Sequence, residues 1–383
     1  MTPIGEHEVV VTPDFNVAKA FIEALGADHL STAFQNSLWL EGCIKMLAQP
    51  RGITPLFCMV RNPEGRALLL LPLCLRKKRS RRIIEGVDLG VSDYIAPVMA
   101  SCFVPTPSEW TQLWQRIVAA LPRHDVLRLT KVPPSVGNRP NPLTWVSDCR
   151  VLELQAHGVA ISTPWETCAL RIFSKSRREK FRKSWRKLAE FGELHFRCVT
   201  DPTEMTGLFE QLVAQRLHRF ASLQRNDPLR DPNRLNFYRS LVANGAHAGF
   251  VRLLLIEIDG RPVAMQFGVC HGNAFHLLIP TFFDGPWAHL GPGMLLSART
   301  MQWAAENGFT YFDFTIGNES YKARLGAVAH DLHEIVVAGS WRGMPTLAAV
   351  GLKAWIKRRP LLLSIVRKCS RWSISPSRWH PRD

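Results

Sequence analysis

Apolar and polar positions along this chain fall into two blocks that resemble each other. From Ile53 to Leu75, two apolar β runs meet at the short reversal Glu64-Gly65-Arg66. From Phe250 to Cys270, two more meet at Asp259-Gly260-Arg261. An acidic residue and a glycine between β runs mark a hairpin. Its recurrence predicts two copies of a related unit. Helical spacing precedes each hairpin. It covers Val17–Leu25 and Leu38–Leu47 in the first block, and Ser176–Phe191, Pro202–Leu223 and Asn233–Asn244 in the second. Gly192 ends the first of the later three as a C-terminal cap.

Beyond the second hairpin the pattern predicts a strand at Ala274–Pro280 and a helix at Gly293–Glu306. Met294, Ala298, Met301 and Ala305 share one face of that helix. Strands at Tyr311–Thr315 and Leu332–Ala338 follow. The stretch Lys131–Pro142, rich in Pro, Gly and Asn, reads as irregular. The order is that of a mixed α/β protein with one crossover. The expected units are 14–162, 163–344 and a basic tail at 345–383.

Length and charge sharpen this picture. The chain has 383 residues, more than one ordinary core and suited to two domains. Its nine cysteines are scattered, without a CxxC pair, which predicts reduced thiols in a cytoplasmic setting. The first residues, Met-Thr-Pro-Ile-Gly-Glu-His-Glu, lack a hydrophobic signal core. No apolar run approaches the roughly 20 residues of a membrane span; Ala67–Leu75 reads as a buried strand. The net charge is +16. Arg171–Lys187 holds nine basic residues and one acid, Glu179, and Pro345–Asp383 holds nine and one, Asp383. Such concentrations predict an anionic partner: a phosphorylated cofactor, nucleic acid or lipid headgroups. On the helix Ser176–Phe191, Phe181, Trp185 and Leu188 form an apolar stripe beside rows of Lys180, Lys183, Lys187 and Arg178, Arg182, Arg186. The tail, with Leu352, Trp355 and Ile356 opposite Lys353 and Lys357, suits peripheral contact with an anionic membrane.

Candidate chemistry gathers at Phe309–Gly326. An alternating aromatic strand breaks at Gly317 and is followed by Glu319, Tyr321, Lys322 and Arg324. Asp313 is a carboxylate in an otherwise apolar strand, on the same face as Tyr311 and Thr315, and needs a partner if buried. It is either a structural acceptor or a group that orients a nucleophile or Lys322. Tyr321 could protonate a leaving thiolate, and Lys322 could stabilise developing negative charge. Upstream, Gly291-Pro292-Gly293 opens a helix, where free amides bind phosphate oxygens. His271 and His276 flank a turn, and His330, Asp331, His333 and Glu334 cluster, but none has a recognisable metal-ligand spacing. Arg216, His218 and Arg219 extend the basic surface.

These residues together carry a resemblance. Gly291-Pro-Gly-Met-Leu-Leu, a helix with Ala304 and Ala305, Gly308, Phe312-Asp313 and Gly317-x-Glu319-x-Tyr321-Lys322 resemble the GNAT-type acyltransferases of the CelD/BcsL, cellulose-biosynthesis-associated group. The turn Asp259-Gly-Arg261-Pro-Val-Ala264 and the Arg216/Arg219 helix fit it too. In the first unit Leu71-Pro-Leu73 and Ser92-Asp-Tyr94 look like its N-terminal half.

The resemblance spans most of residues 35–340. It implies an α/β fold of tandem GNAT-like domains, with mixed, mostly antiparallel sheets flanked by helices, as in Fem-type transferases. It implies acyl transfer, usually from acetyl-CoA, to an amine or hydroxyl acceptor such as a sugar or polysaccharide. The donor would lie along Leu277, Ile279, Gly291, Gly293, Met294 and Leu295, with strand amides near Leu277–Ile279 receiving the oxyanion. Arg182, Arg216 and Arg219 would face the acceptor. The base stays open among Asp313, Glu319 and a water.

Two departures, Ala288 where the pattern has Arg or Gln and Pro292 within the loop, leave a tRNA-borne donor as an alternative. A non-catalytic polyanion- or membrane-binding accessory is a third reading. Specific nucleic-acid recognition lacks any zinc-finger or RNA-binding aromatic signature.

Overall fold

The computed structural model describes residues 7–349. Residues 350–383, most of the basic tail singled out above, lie outside the described residues.

The apolar runs become strands of one continuous 13-stranded sheet. The first unit contributes β1 (Glu8–Thr12), β2 (Thr54–Arg61), β3 (Ala67–Lys78), β4 (Arg81–Gly86), the short β5 (Val98–Met99) and β6 (Val126–Val132). A small separate hairpin, β7 (Ser135–Val136) and β8 (Arg139–Pro140), occupies the stretch read as irregular. Then come β9 (Cys149–Ala160), β10 (Leu194–Val199), β11 (Val251–Ile258), β12 (Arg261–His271), β13 (Ala274–Phe282), β14 (Tyr311–Ile316) and β15 (Val328–Ala338). Both acidic-Gly turns are hairpins, β2–β3 and β11–β12, with Gly65 and Gly260 in the left-handed region.

Helices start where the sequence supplies caps. They are α1 (Phe15–Ala24), α2 (Ser37–Gly42), α3 (Pro107–Ala120), α4 (Trp165–Ile172), α5 (Lys175–Ala189), α6 (Pro202–Ser222), α7 (Pro232–Gly245), α8 (Pro292–Glu306) and α9 (Ser320–Arg324). Asp201 and Asp231 accept from the first-turn amides of α6 and α7, and proline at the first position costs no helical hydrogen bond. Thr106 and Glu109 form a capping box on α3.

The order across the sheet is β1-β2-β3-β4-β6-β15-β9-β14-β13-β12-β11-β10, with β5 on β3. It reads as a palindrome about the β15–β9 seam. Each half holds one parallel pair, β4 with β6 and β13 with β14, and the remaining pairings are antiparallel. At the centre the halves exchange strands. β9, the last strand of the first unit, pairs with β14 of the second, and β15, the last strand of the second, pairs with β6 of the first. The sheets of the two units are thereby one sheet. At the seam Gly158 is obligatory for space: a Cβ there would lie 2.0 Å from the Tyr311 hydroxyl.

Two layers of core cover the sheet. One buried cluster joins the first unit to α6 and α7 of the second, through Trp39, Phe209, Leu212 and Phe237. The other lies beneath α4, α5 and α8, through Phe173, Leu188, Leu295, Met301, Phe312 and Phe314. α2 and α7 pack directly, with Trp39 edge-on to Phe237 at 4.9 Å. No described helix is long and apolar enough to cross a membrane.

Candidate functional site

The parallel strands β13 and β14 stay paired through three registers, Ala274 with Tyr311, Phe275 with Phe312 and His276 with Asp313. Beyond them the strands part. Two irregularities sit at the parting. β13 bulges against β12, where Gly268 faces Leu277 and Phe267 faces Ile279, so Leu278 drops out of the ladder. A bulge of this kind takes backbone polar groups out of the regular pairing. On β14, Thr315 has φ +56°, an outlier for a β-branched residue, and the register with β9 shifts between Asp313 and Ile316. Strain of this kind gathers at functional sites.

Asp313 is 3% exposed and fully partnered. It accepts from the Tyr94 hydroxyl at 3.0 and 2.9 Å, from the Thr315 amide at 2.7 Å, and pairs with His276 Nδ1 at 2.9 Å. Tyr94 belongs to the first unit, so the bond crosses between the halves. Burial, with Asp313 alongside, raises the Tyr94 phenol well above its ordinary value and keeps it a donor.

The residue before Tyr94 was not singled out as chemistry by its pattern. Asp93 is half-buried and lies beside the Thr315 side chain, whose hydroxyl donates to the Leu277 carbonyl at 3.4 Å. Burial raises its carboxyl to about 6; Lys131 and the Thr315 hydroxyl oppose the rise, and Asp88 and Asp313 add to it. Lys131 anchors the loop, donating to Asp88 at 3.0 Å and to the Ser92 carbonyl at 2.9 Å. The Tyr238 phenol of α7 is raised by burial and by the field of Asp93, so α7 also borders this carboxyl. The sequence signal for Asp93 was faint: an acid before a tyrosine in a loop. For His276 it was a histidine in an apolar strand.

Lys322, 2% exposed, folds back on the strand end. Its Nζ donates to the carbonyls of Thr315 at 3.3 Å, Ile316 at 2.7 Å and Gly317 at 3.1 Å, and meets Glu319 Oε2 at 3.1 Å. The three N–H donors of an ammonium are thus spent on the chain around the break. Tyr321 is half-buried and edge-on to Phe314, with ring centroids 6.3 Å apart. Its phenol is raised by burial first and by Glu319 second, with Arg216 pulling the other way.

The helix mouth lies beside the end of β13. Gly291 is left-handed at φ +69°, and Pro292 begins α8. The amides of Met294 and Leu295 close on the Gly291 carbonyl, which leaves the Gly293 amide at the mouth. A Cβ at Gly293 would lie 3.3 Å from the Phe282 ring. Leu277, Ile279 and Leu295 are buried, and Met294 is half-buried. From the opposite face of the sheet α6 meets the same strand end. Arg216 is fixed to Asp227 at 2.6 Å and to the Pro280 carbonyl at 3.0 Å, and Arg219 lies 3.5 Å over the Phe282 ring. Arg182 is not part of this group. It is exposed on α5, which packs on α8 and the turn Ala288–Leu290.

The geometry is a parting of two parallel strands, with a glycine-opened helix at the end of β13, a half-buried phenol beyond β14 and a raised carboxyl delivered by the first unit. The profile of the acetyltransferase (GNAT) domain matches residues 175–323, which contain both of these strands. No curated protein matches the chain. Among solved structures it is similar to FemX, at 11% identity over 90% of this chain and 99% of that one, with a TM-score of 0.58. A conserved protein of unknown function from Bacteroides thetaiotaomicron gives 11% identity, 86% and 99% coverage, and a TM-score of 0.53. L-PGS from Bacillus licheniformis gives 13% identity, 92% and 99% coverage, and a TM-score of 0.50. At such identities the likeness is one of fold. Residues 175–323 of the chain carry an acetyltransferase (GNAT) domain.

Proposed function

We propose that the protein transfers an acyl group, acetyl in the simplest case, from a coenzyme A thioester to an amine or hydroxyl. Asp93 of the first unit serves as general base. The observation that carries this reading is the end of the β13–β14 pairing at His276 and Asp313, with the Asp93 carboxyl beside Thr315 at that point.

The acceptor heteroatom attacks the thioester carbonyl carbon, and its proton passes to the Asp93 carboxylate. A base with a value near the working pH is effective because it is both ionised and willing to take the proton. The carbonyl oxygen becomes an oxyanion, received by backbone amides along Leu277–Ile279, where the bulge breaks the ladder. Collapse breaks the C–S bond, and the Tyr321 phenol gives its proton to the departing thiolate. A phenol raised by burial stays protonated for that step. Asp313 and Glu319 act as positioning groups, Asp313 on Tyr94 and His276 and Glu319 on Lys322. The Gly293 amide would receive the pyrophosphate of the donor at the opening of α8, with Gly291 shaping the turn and Met294 and Leu295 packing beneath it. Arg216 and Arg219 would line the acceptor side at the end of β13. The CelD/BcsL resemblance supports a sugar or polysaccharide acceptor of the kind met in cellulose or exopolysaccharide assembly.

One observation favours a second reading. Pro292 withdraws an amide from the phosphate turn, and Ala288 supplies no polar side chain there. A donor carried on tRNA, as in Fem-type transferases, would not depend on that turn. Thermal denaturation separates the two. Acetyl-CoA is expected to raise Tm, and Tyr321→Phe is expected to slow transfer while keeping that rise. No rise with any acyl-CoA would move the assignment to the tRNA-borne donor.

A further inference from the structure

A concavity lies away from the end of the β13–β14 pairing, against the edge strand β10. It encloses about 410 Å³ between α5, β10 and α8, with Trp185, Phe196, Cys198, Arg299, Gln302 and Trp303 in its wall. Two indoles and a phenyl ring make the wall aromatic. Arg299 brings a charge into it. Its guanidinium lies 4.1 Å over the Trp185 ring, and among the described residues its Nη1 donates to Gln302 at 3.1 Å. Burial lowers its pKa, and the Glu306 carboxylate opposes the fall. A half-buried guanidinium is set up to hold an anion through a planar fork.

The surroundings add to the field. Arg182 is exposed on α5 one turn from Trp185, and Lys183, Arg186 and Lys187 are exposed beside it. Glu306, on α8 like Arg299, also borders the cavity and accepts from Gln302 at 2.9 Å. The cations of Arg299 and α5 outnumber this one carboxylate, which directs an anionic group toward α5 and a flat apolar group toward Trp303 and Phe196.

We propose that this cavity is a binding site, separate from the transfer cleft, for a nucleotide whose ring stacks in the aromatic wall and whose phosphate engages Arg299. Aromatic and guanidinium faces are the usual platforms for bases, and stacking tolerates any ring. The cavity size suits one small ligand. The inference stands apart from the donor reading, since none of these residues borders the β13–β14 gap.

The test is equilibrium titration of the full chain with AMP, read by quenching of tryptophan fluorescence at low and physiological salt. Saturable quenching is expected, weakened at least about tenfold by Arg299→Gln and by Trp185→Leu. Adenosine and inorganic phosphate alone should each bind more weakly than AMP. A short single-stranded oligonucleotide distinguishes a free nucleotide from a base within a strand. If it binds and Arg299→Gln weakens it as it weakens AMP, the same site takes a strand base.

Several results would overturn the proposal: no saturable AMP binding, octanoate binding as well as AMP, or oligonucleotide binding lost in Arg182→Glu/Lys183→Glu but untouched by Arg299→Gln. Acetyl-CoA is the internal control. Arg299→Gln should keep whatever thermal shift acetyl-CoA gives to the unaltered chain, and loss of that shift would make the cavity part of the donor site. Arg299→Lys, which keeps the charge but not the fork, guards against a fold defect; it should melt like the unaltered chain and bind AMP poorly.

Discussion

The hydroxyl of Tyr94 in the first unit donates to both oxygens of Asp313 in the second, at 3.0 and 2.9 Å, inside a region closed to water. Tyr94→Phe keeps the ring contact with Phe34, whose centroid is 5.3 Å away, and removes the donor alone. Asp313 then retains His276 and the Thr315 amide. The expected loss is about 1–3 kcal/mol, read as a lower denaturant midpoint at unchanged m-value.

Asp93→Asn should lower kcat/KM by about 10²–10⁴-fold, the usual worth of a general base. The unaltered enzyme should gain activity as pH rises through about 6, where the Asp93 carboxyl ionises, and the variant should lack that limb. Stability moves the other way. The folded value lies above that of a free carboxyl near 3.9, so the folded state holds the proton more tightly. The stability this gives is complete below about pH 4 and is lost as pH rises through about 6. Asp93→Asn should therefore melt higher than the unaltered chain at pH 8. A variant that loses activity and also melts lower would count against the base.

Lys322→Met keeps the aliphatic stem and removes every polar contact of the ammonium. Three carbonyls at the end of β14 and Glu319 then lose their partner. At least about 2 kcal/mol should go, since bonds to a charged donor exceed neutral ones. Amide hydrogen exchange should quicken around Thr315–Arg324 before it does so in the hairpins.

Cutting the chain between 162 and 163 should yield two pieces, neither of them stable alone. The first keeps β9 without its partner β14, and the second keeps β15 without β6. Produced together, the pieces should associate and recover one cooperative melting transition. A second piece that folds and melts sharply by itself would contradict the strand exchange.

Elements with strong local signals were legible in the sequence. The acidic-Gly turns announced β2–β3 and β11–β12, and the capped amphipathic runs announced α5 through α8. The seam was not legible. Residues 149–160 alternate weakly, with charged and polar groups at Arg150, Glu153, Gln155 and His157, because the pairing that makes β9 a strand comes from residues over 150 positions away. Local pattern carries no trace of such partners. The site divided in the same way. Asp313, Tyr321 and Lys322 stood out as charged or phenolic groups at a strand end. Asp93 did not, and His276 drew notice only as a possible metal ligand, since their chemistry comes from neighbours in the other half or on the adjacent strand. Lys322 drew notice for its charge, and its contacts are those of a tether for the backbone.

The palindromic strand order has a consequence for how the nascent chain reaches this form. The edge of β6, ending at Val132, is covered by β15, which ends at Ala338. At about 5–20 residues per second, ribosomal synthesis leaves that edge bare for roughly 10–40 s. A naked strand edge is a template for wrong partners, so the interval between translating these two segments is when the polypeptide is most exposed to aggregation and most dependent on a chaperone.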